Sequence, residues 1–471
     1  MGDTAINEPQ AQTQEMNPLG TQPVGKLMIK FALPSVISLV VNSLYNMVDQ
    51  IFIGNGVGYL GNAATNVIAP LMTLVLSIGL LIGDGTASYM SLMLGRGEPE
   101  KAARGTGNAI FLVVIVGILF TIFFSIFLEP LCWAFGATET NISYCLDYGR
   151  VIAAGFLAFM ICSAFGSIIR ADGRPGISMI GLLIGCITNI ILDPIFIFVC
   201  EWGVRGAAIA TVIGQILNAI FFIICCFRFK TVKLTFKCFL PKGKVCGKIA
   251  TLGISSFITQ AATVAVMIIM NNLLVKYGEE SVYGPDIPLA VFGIVMKISL
   301  LLNSILIGIA TGCQPIWGYN YGSGQYDRVK KCFKRAYIIA TVIAAIALVM
   351  FQLFPSQIIG LFGDEGELYM EYATKFLRIY LIACIIIPYS SMMGIFFQAL
   401  GKPVRATLIS LSRQVIFLIP AMFIFGFIGG LDGLTWTAPF ADVCAGIFSI
   451  IILAASWRGL FRKKGAKTEN E

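Results

Sequence analysis

"SIGLLIGDG" at residues 77–85 returns 227 positions later as "SILIGIATG" at residues 304–312, and the alignment runs without a gap from 68–110 onto 295–337. At the same offset, give or take one residue, "RADGRP" at 170–175 falls on "QALGKP" at 398–403. Self-similarity at a fixed spacing is the signature of a repeated structural unit. The chain is therefore predicted to contain two related halves.

The amino-acid composition indicates whether these halves fold in water or in a lipid bilayer. Of the 471 residues, 57% are apolar and only 12% are charged, which leaves too few charges to cover a soluble protein of this length. Twelve apolar runs are long enough to cross a hydrocarbon core of about 30 Å as helices, and they lack the alternation of a β-barrel. The sequence predicts an all-α membrane protein with six helices in each half.

The number of helices in each half also predicts the symmetry of the molecule. Because six is even, both halves enter the membrane in the same direction and form a parallel repeat about an axis along the membrane normal. Such a repeat leaves a central cavity between two lobes, which can open alternately to either side of the membrane. The sequence therefore predicts a transporter.

The distribution of basic residues predicts the orientation. Of the 33 lysines and arginines, 26 fall in connections on one side of the membrane, seven of them in Arg228–Lys248. The positive-inside rule places that side and both termini in the cytoplasm of a cell-membrane protein. The net charge of +8 suits anionic lipid, with no need for nucleic acid. The predicted segments are a disordered cytoplasmic tail (1–25), an N-lobe (26–228), a basic cytoplasmic linker (229–248), a C-lobe (249–458) and a second cytoplasmic tail (459–471).

Three helices carry stripes of polar side chains at helical spacing. "NIILDPIFIF" at 189–198 places Asp193 in an apolar run, one turn after Asn189. The first and sixth predicted helices carry similar stripes, and all three reach the outer half of the membrane at one depth. The predicted stripes consist of Asn42, Asn46 and Asp49 in the first helix, Asn189 and Asp193 in the fifth, and Thr211, Gln215 and Asn218 in the sixth.

These stripes bring together the chemistry of an ion site. Two carboxylates with an amide and a hydroxyl in a dry setting are hard oxygen ligands suited to Na⁺, or an acid pair that repels itself and accepts a proton. The equivalent positions of the second half are apolar, for instance Ile416 and Ala438, so the site belongs to the first lobe. A plainer alternative is that Asp193 caps a kinked segment and Asp49 lies in an interface. The predicted coupling-ion ligands are Asp49, Asn189, Asp193 and Thr211, supported by Asn42, Asn46, Gln215 and Asn218, with Pro34 and Pro194 as bending points.

Four other polar residues lie deep in predicted helices. Asp84, between two glycines, is interpreted as a packing or gating residue, and Gln260 as a polar group of the seventh helix. Arg413 is expected to reach the cytoplasmic side or to bond backbone carbonyls, because a cation in hydrocarbon needs a partner or water. Lys297 is expected to contact substrate, to repel a cation from the second lobe or to make a structural tie.

Several function classes are disfavoured. The chain has no histidine, so a proton relay must use carboxylates. Its 13 cysteines lack metal-ligand spacing, and no nucleophile–base pair or cofactor motif is present, so we expect neither an enzyme nor a bound cofactor. A channel would not need two lobes with one asymmetric ion site. The protein is expected to function as a monomer.

Six motifs in order resemble the multidrug and toxic compound extrusion (MATE) transporters, over residues 26–458. They are "LPSVISLVVNSLYNMVDQIFIG" (33–54), "RADGRP" (170–175), "NIILDPIFIF" (189–198), "GAAIAT" (206–211), "QPIWGYNYGSG" (314–324) and "FQALGKPVRA" (397–406). The resemblance implies an antiporter that exports amphipathic, usually cationic drugs in exchange for Na⁺ or H⁺, and hence a role in antibiotic resistance. It also implies that the coupling ion binds the four residues that match the family's first-lobe cation site, namely Asp49, Asn189, Asp193 and Thr211.

The chain departs from some members of that family in its second lobe. It lacks the acids that they carry in the seventh and tenth helices, which argues against a second cation site. An alternative from another class is a flippase for a lipid-linked saccharide, which has a related two-lobe fold. Such a flippase would be expected to line its cavity with several arginines, whereas this chain offers only Arg413 and Lys297.

Overall fold

The computed structural model describes residues 18–57, 59–135, 137, 139–284, 286–361 and 366–461, and these are almost entirely helical. Most of the two predicted tails, residues 1–17 and 462–471, lies outside this range. The helices are α1 (Pro18–Thr21), α2 (Val24–Val57), α3 (Tyr59–Gly95), α4 (Pro99–Ala134), α5 (Ile142–Ala154), α6 (Phe156–Ala171), α7 (Pro175–Pro194), α8 (Gly203–Cys226), α9 (Gly243–Glu279), α10 (Asp286–Gly322), α11 (Tyr326–Leu353), α12 (Pro355–Gly360), α13 (Glu367–Tyr380), α14 (Ile387–Ala399), α15 (Pro403–Leu411), α16 (Ile419–Thr435) and α17 (Thr437–Leu460).

The number of membrane-spanning segments confirms the prediction. In the part of the chain that the structure describes, eleven segments are long and apolar enough to cross a membrane, and α5 with α6 form a twelfth that is bent by 54°. The equivalent segment of the second half is also broken, between α13 and α14, by the short 3₁₀ turn Cys384–Ile386. Two π-helical turns, Ile195–Val199 and Ser412–Leu418, continue α7 and join α15 to α16. An apolar run reports the length of a span but not its continuity, so none of these interruptions was predicted apart from a bending point at Pro194, directly before the first π-helical turn.

Two predicted boundaries differ from the structure. Helix α9 begins at Gly243, so the connection between the halves ends at Lys242 and not at residue 248. Lysines 244 and 248 lie on the part of this helix that extends beyond its apolar run. The boundary was misplaced because the positions of charges indicate where the membrane surface lies and not where a helix begins. Residues 18–25, which were assigned to the disordered tail, are mostly helical, and Leu19 is only 2% exposed. Arg328 holds them by donating to the carbonyls of Leu19 and Gln22 over 3.0 and 2.6 Å.

The connection between the halves is fastened to the first lobe. The buried Asp172 carboxylate accepts hydrogen bonds from the backbone amides of Lys230 and Thr231, over 3.1 and 2.9 Å. Further along, the Asn108 side chain donates to two backbone carbonyls of the connection and accepts from the Lys242 amide over 2.7 Å. The backbone of this basic segment is therefore held in place by hydrogen bonds to the first lobe. We call the side of the membrane that carries this connection the basic face.

The interior of the protein has two main apolar cores, one for each half, but the first helix of each half crosses between them. Val24, Leu27 and Phe31, at the basic end of α2, lie in the core of the second half. Conversely, Ile249 and Leu252, at the basic end of α9, lie in the core of the first half. This reciprocal exchange follows from the repeat, and it interlocks the two lobes at the basic face.

Close helix crossings join the lobes on this side. A Cβ atom at Gly253 of α9 would collide with the Leu81 carbonyl of α3, and one at Gly312 of α10 would approach Ala32 of α2 as closely as 2.5 Å. Only glycine allows the two backbones of each crossing to come so near. Nearer the membrane centre, the hydroxyls of Ser43 and Ser304 meet at 2.6 Å. Closer to the opposite face, α2 packs against its own half, for instance through Phe52 and Phe198.

Candidate ion-binding site

Helices α7 and α8 hold three of the predicted ligands in one buried cluster. The Asn189 amide nitrogen donates to the Asp193 carboxylate over 3.1 Å and to the Thr211 hydroxyl over 3.0 Å. All three side chains are at most 4% exposed. Glycines let α7 and α8 approach closely enough for Asn189 to reach Thr211. A Cβ atom at Gly214 would lie only 2.6 Å from the Gly185 carbonyl oxygen, so no larger residue fits there. The close approach of Gly185 and Gly214 thus positions the cluster.

Helix α2 adds the second carboxylate. The Asp49 side chain lies beside the Asp193 side chain. Two neighbouring carboxylates in a dry setting repel each other when both are ionised, unless a proton or a cation lies between them. The structure therefore brings together the four predicted ligands, and their chemistry suits a small positive ion.

Several oxygen atoms of the cluster lack a hydrogen-bond donor. Among the described residues, one buried carboxylate oxygen each of Asp49 and Asp193 and the amide oxygen of Asn189 have no hydrogen-bond partner. Buried acceptors are normally satisfied, so such a group needs a physical reason. The same described range contains no group of three or more His, Cys, Asp or Glu side chains that could hold a metal ion.

Two tyrosines belong to the site and were missed in the sequence. The Tyr45 side chain lies near Thr211 and both carboxylates, and Tyr148 of α5 lies near Tyr45 and both carboxylates. Tyr45 precedes Asp49 by four residues, so its place on the same helix face was a usable signal. Tyr148 comes from a helix without a polar stripe, and only the fold brings it to the site.

The supporting stripes only partly converge on this cluster. Asn218 is buried between α7 and α8, two turns from Thr211, and its amide oxygen also has no partner among the described residues. Asn42 and Gln215 are partly buried. Asn46 is exposed, and its amide donates to the Asn42 carbonyl over 2.6 Å. Asn46 thus turns back to its own helix and not to the carboxylates.

The two predicted bending points differ in their surroundings. Pro194 ends α7 and is followed directly by the π-helical turn Ile195–Val199. Such turns are common at functional sites, because they disturb the regular bonding of the helix. Pro34 lies inside α2, which is a single helix from Val24 to Val57. Bending at either residue stays a prediction.

Asp84 connects the two lobes. Its carboxylate accepts from the Ser167 hydroxyl of the first half over 2.6 Å and from the Ser256 hydroxyl of the second half over 2.9 Å. Arg170 in turn donates to the Ser167 hydroxyl over 2.8 Å. Asp84 therefore lies in an interlobe polar network near the basic face, and a gating role for it stays a prediction.

The second lobe contains a buried ion pair. The Arg413 Nε atom donates to the Asp442 carboxylate over 2.6 Å, and their side chains are 21% and 3% exposed. The expectation that Arg413 reaches the cytoplasmic side or bonds carbonyls was wrong, because the acid in α17 was overlooked as a partner. At the repeat offset these two positions correspond to Cys186 and Gln215, one turn from the ion site of the first lobe. The second lobe thus holds a fixed cation, the Arg413 guanidinium, in the region that corresponds to the candidate cation site of the first lobe.

The last two candidates, Lys297 and Gln260, are partly buried in α10 and α9. Lys297 follows Met296, whose sulfur atom accepts from the Tyr380 hydroxyl over 3.9 Å. Tyr380 also interacts electrostatically with Arg413 and Asp442. A role of Lys297 or Gln260 in substrate contact stays a prediction.

Two helical lobes related by an internal repeat, with an acid pair in the first lobe alone, define a two-lobe membrane transporter. A family model for MatE matches residues 34–195 and 255–424, one stretch in each half. The chain therefore belongs to the MATE family of transporters.

Individual relatives agree with this assignment. The chain is 26% identical over 435 residues to the multidrug export protein MepA of Staphylococcus aureus, covering 92% of this chain and 94% of MepA. It superposes with a TM-score of 0.87 on an outward-facing multidrug resistance MATE family transporter of the MOP superfamily, at 24% identity and 94% and 98% coverage. A MATE structure in the straight conformation gives 0.88 at 23% identity, with the same coverage. These similarities do not favour the flippase alternative.

Proposed function

We propose that the protein is a multidrug efflux antiporter of the cell membrane, which exports amphipathic, cationic compounds in exchange for H⁺ or Na⁺. The observation that carries this proposal is the Asp49 and Asp193 pair, whose buried oxygens lack donors within the described residues. Its substrate class follows the name of the relative MepA, a multidrug export protein. Both lobes and the ion site belong to one chain, which supports a functional monomer without a cofactor.

The proposed mechanism is alternating access. The interlobe contacts near the basic face, including Ser256 to Asp84, support an assignment of this conformation to the outward-open state. An ion that binds the acid pair removes the repulsion between the carboxylates, and the bending points allow α2 and α7 to reshape the first-lobe side of the cavity. Ion and drug then compete through conformation and not through shared ligands, which is a coupling between two sites.

The coupling ion is tested in proteoliposomes that contain the purified protein and a fluorescent cationic dye. A Na⁺ gradient and a pH gradient are imposed separately, each with the membrane potential clamped. One gradient is expected to drive dye transport, and the other to have little effect. Transport that responds to neither gradient would overturn the antiport proposal.

Substituting Pro194 with Ala is expected to weaken the antagonism between ion and drug, while ion binding itself survives. The oxygen ligands all remain, but the restored backbone amide removes the break that lets α7 bend. Drug affinity of the purified protein is measured with and without Na⁺, and at low and high pH. Undiminished antagonism in the variant would make direct competition at the carboxylates the better account.

A Cys introduced at Gly243 tests the orientation. The space around Gly243 is open, so a side chain there remains accessible. If the basic face is cytoplasmic, this thiol resists an impermeant reagent added to intact cells and reacts after permeabilisation, in a background without reactive native cysteines. A Cys at Val282, which lies in the connection from α9 to α10 at the opposite face and is 80% exposed, gives the reverse pattern as the control. Ready labelling at residue 243 in intact cells would invert the topology.

A further inference from the structure

An apolar groove of about 670 Å³ lies between α11, α14 and α17 of the second lobe. Its walls are aromatic side chains of Phe333, Tyr337, Tyr389 and Trp457, together with aliphatic side chains of the three helices. The groove lies in the other lobe from the ion site, and none of its helices carries one of the four ligands. The proposed antiport mechanism does not use it.

The polar groups inside the groove are paired with each other. The Thr341 hydroxyl donates to the Tyr389 hydroxyl over 3.4 Å, and the Tyr337 hydroxyl donates to the Met393 sulfur over 3.6 Å. With these groups engaged, the walls offer apolar surface to an occupant. The chemistry therefore suits a hydrocarbon chain.

The two ends of the groove differ in charge. Lys330 and Lys334 line the end that is near the start of α11, at the basic face, whereas Val342 lines the deep end. The twelve residue-to-residue steps from 330 to 342 rise about 18 Å along a helix at roughly 1.5 Å each. This length is close to one leaflet, which is half of a hydrocarbon core of about 30 Å.

The lysines are placed to meet an anion at the membrane surface. The Lys330 ammonium lies 5.1 Å from the centre of the Phe461 ring and 3.7 Å from the fully exposed Asp327, and its side chain is 40% exposed. Lys334 follows one helical turn later and is exposed. Two cations at the mouth disfavour a cationic drug as the occupant and complement a phosphate group.

We propose that this groove binds an anionic phospholipid of the leaflet at the basic face. One acyl chain lies along the aromatic walls toward Val342, and the phosphate contacts Lys330 and Lys334. Neutral lipids can place a chain in the same groove but gain nothing from the lysines. The site therefore selects lipid by headgroup charge.

The test uses Trp457 as a reporter, in a variant whose other four tryptophans (Trp133, Trp202, Trp317 and Trp436) are replaced by Phe. Quenching by brominated phosphatidylglycerol is compared with quenching by brominated phosphatidylcholine in mixed bilayers. We expect the anionic lipid to bind preferentially, by about fivefold for each lysine that it contacts. Native mass spectrometry of the unaltered protein with the same two lipids checks that the Phe substitutions did not create the preference.

Matched variants identify the lysines responsible. Lys330→Gln with Lys334→Gln is expected to reduce the preference to less than twofold. Lys331→Gln removes the same charge one residue away, from an exposed position outside the groove, and is expected to preserve the preference. Equal quenching by both lipids before substitution, or an equal loss in the Lys331→Gln control, would overturn the proposal. Displacement of the brominated anionic lipid by a cationic drug would instead make the groove a drug site and would also overturn it.

Discussion

Replacing Asp193 with Asn is expected to reduce ion-driven efflux to the level of liposomes without protein, while membrane insertion and abundance stay near those of the wild type. Asn keeps the shape of the side chain and can still bond Asn189, but it cannot take up a proton or supply a negative charge to Na⁺. The acid pair then loses the repulsion that an incoming ion relieves. Gradient-driven dye transport in proteoliposomes measures the effect directly.

The control for this variant is Asp147→Asn in the same lobe. Asp147 is partly exposed and pairs with Arg205 at 3.5 Å, a surface contact that contributes little. Its replacement is expected to leave transport unchanged. Full ion-driven transport by the Asp193→Asn variant at wild-type abundance would contradict the assignment of the coupling site. The plainer interpretation, in which Asp193 caps a kinked helix, would then be favoured.

Replacing Arg413 with Met is expected to lower the free energy of unfolding by about 3–5 kcal/mol, because it leaves Asp442 buried without its charged partner. The Asp442 side chain is only 3% exposed, so water cannot replace the guanidinium. Thermal or denaturant unfolding of the purified protein in detergent measures the loss. The effect is large because the two charges are already removed from water.

Two companions make the comparison specific. Arg205→Met breaks the exposed pair with Asp147, whose side chains are 60% and 38% exposed, and is expected to cost about 0–1 kcal/mol. Combining Arg413→Met with Asp442→Leu removes both buried charges and is expected to recover most of the lost stability. If Arg413→Met costs no more than Arg205→Met, the pair is not the stabilising contact that its geometry indicates.

The arrangement of the proposed ion ligands was largely predictable because these residues obey local rules. Asn189 and Asp193 are one helical turn apart on one chain segment, and a helix fixes that relationship wherever it lies. Asp49 and Thr211 were placed at the same depth by counting residues along their helices. Tyr148 was missed because its position depends on how α5 packs against α8, which no periodicity encodes.

The connection between the lobes was only half predicted. Its basic charges indicated a segment at a membrane surface. The positions of charges do not show which residues hold the backbone of that segment by hydrogen bonds. The hydrogen bonds between this backbone and the side chains of Asp172 and Asn108 join residues that are more than 50 positions apart. The order of residues 18–25 has the same origin, since Arg328 and the core of the second half hold them.

The sequence by itself determined the twelve spans, the duplication and the polar helix face of the proposed ion site, because each depends on apolar length or on spacing along one helix. Only the tertiary structure decided the exchange of the α2 and α9 ends between the two cores, the Arg413 and Asp442 pair and the charged groove of the second lobe. Each of these depends on which helices pack against each other. Helix pairing is determined by the packing of side chains from distant parts of the chain, whereas helix periodicity constrains only the face that each helix buries.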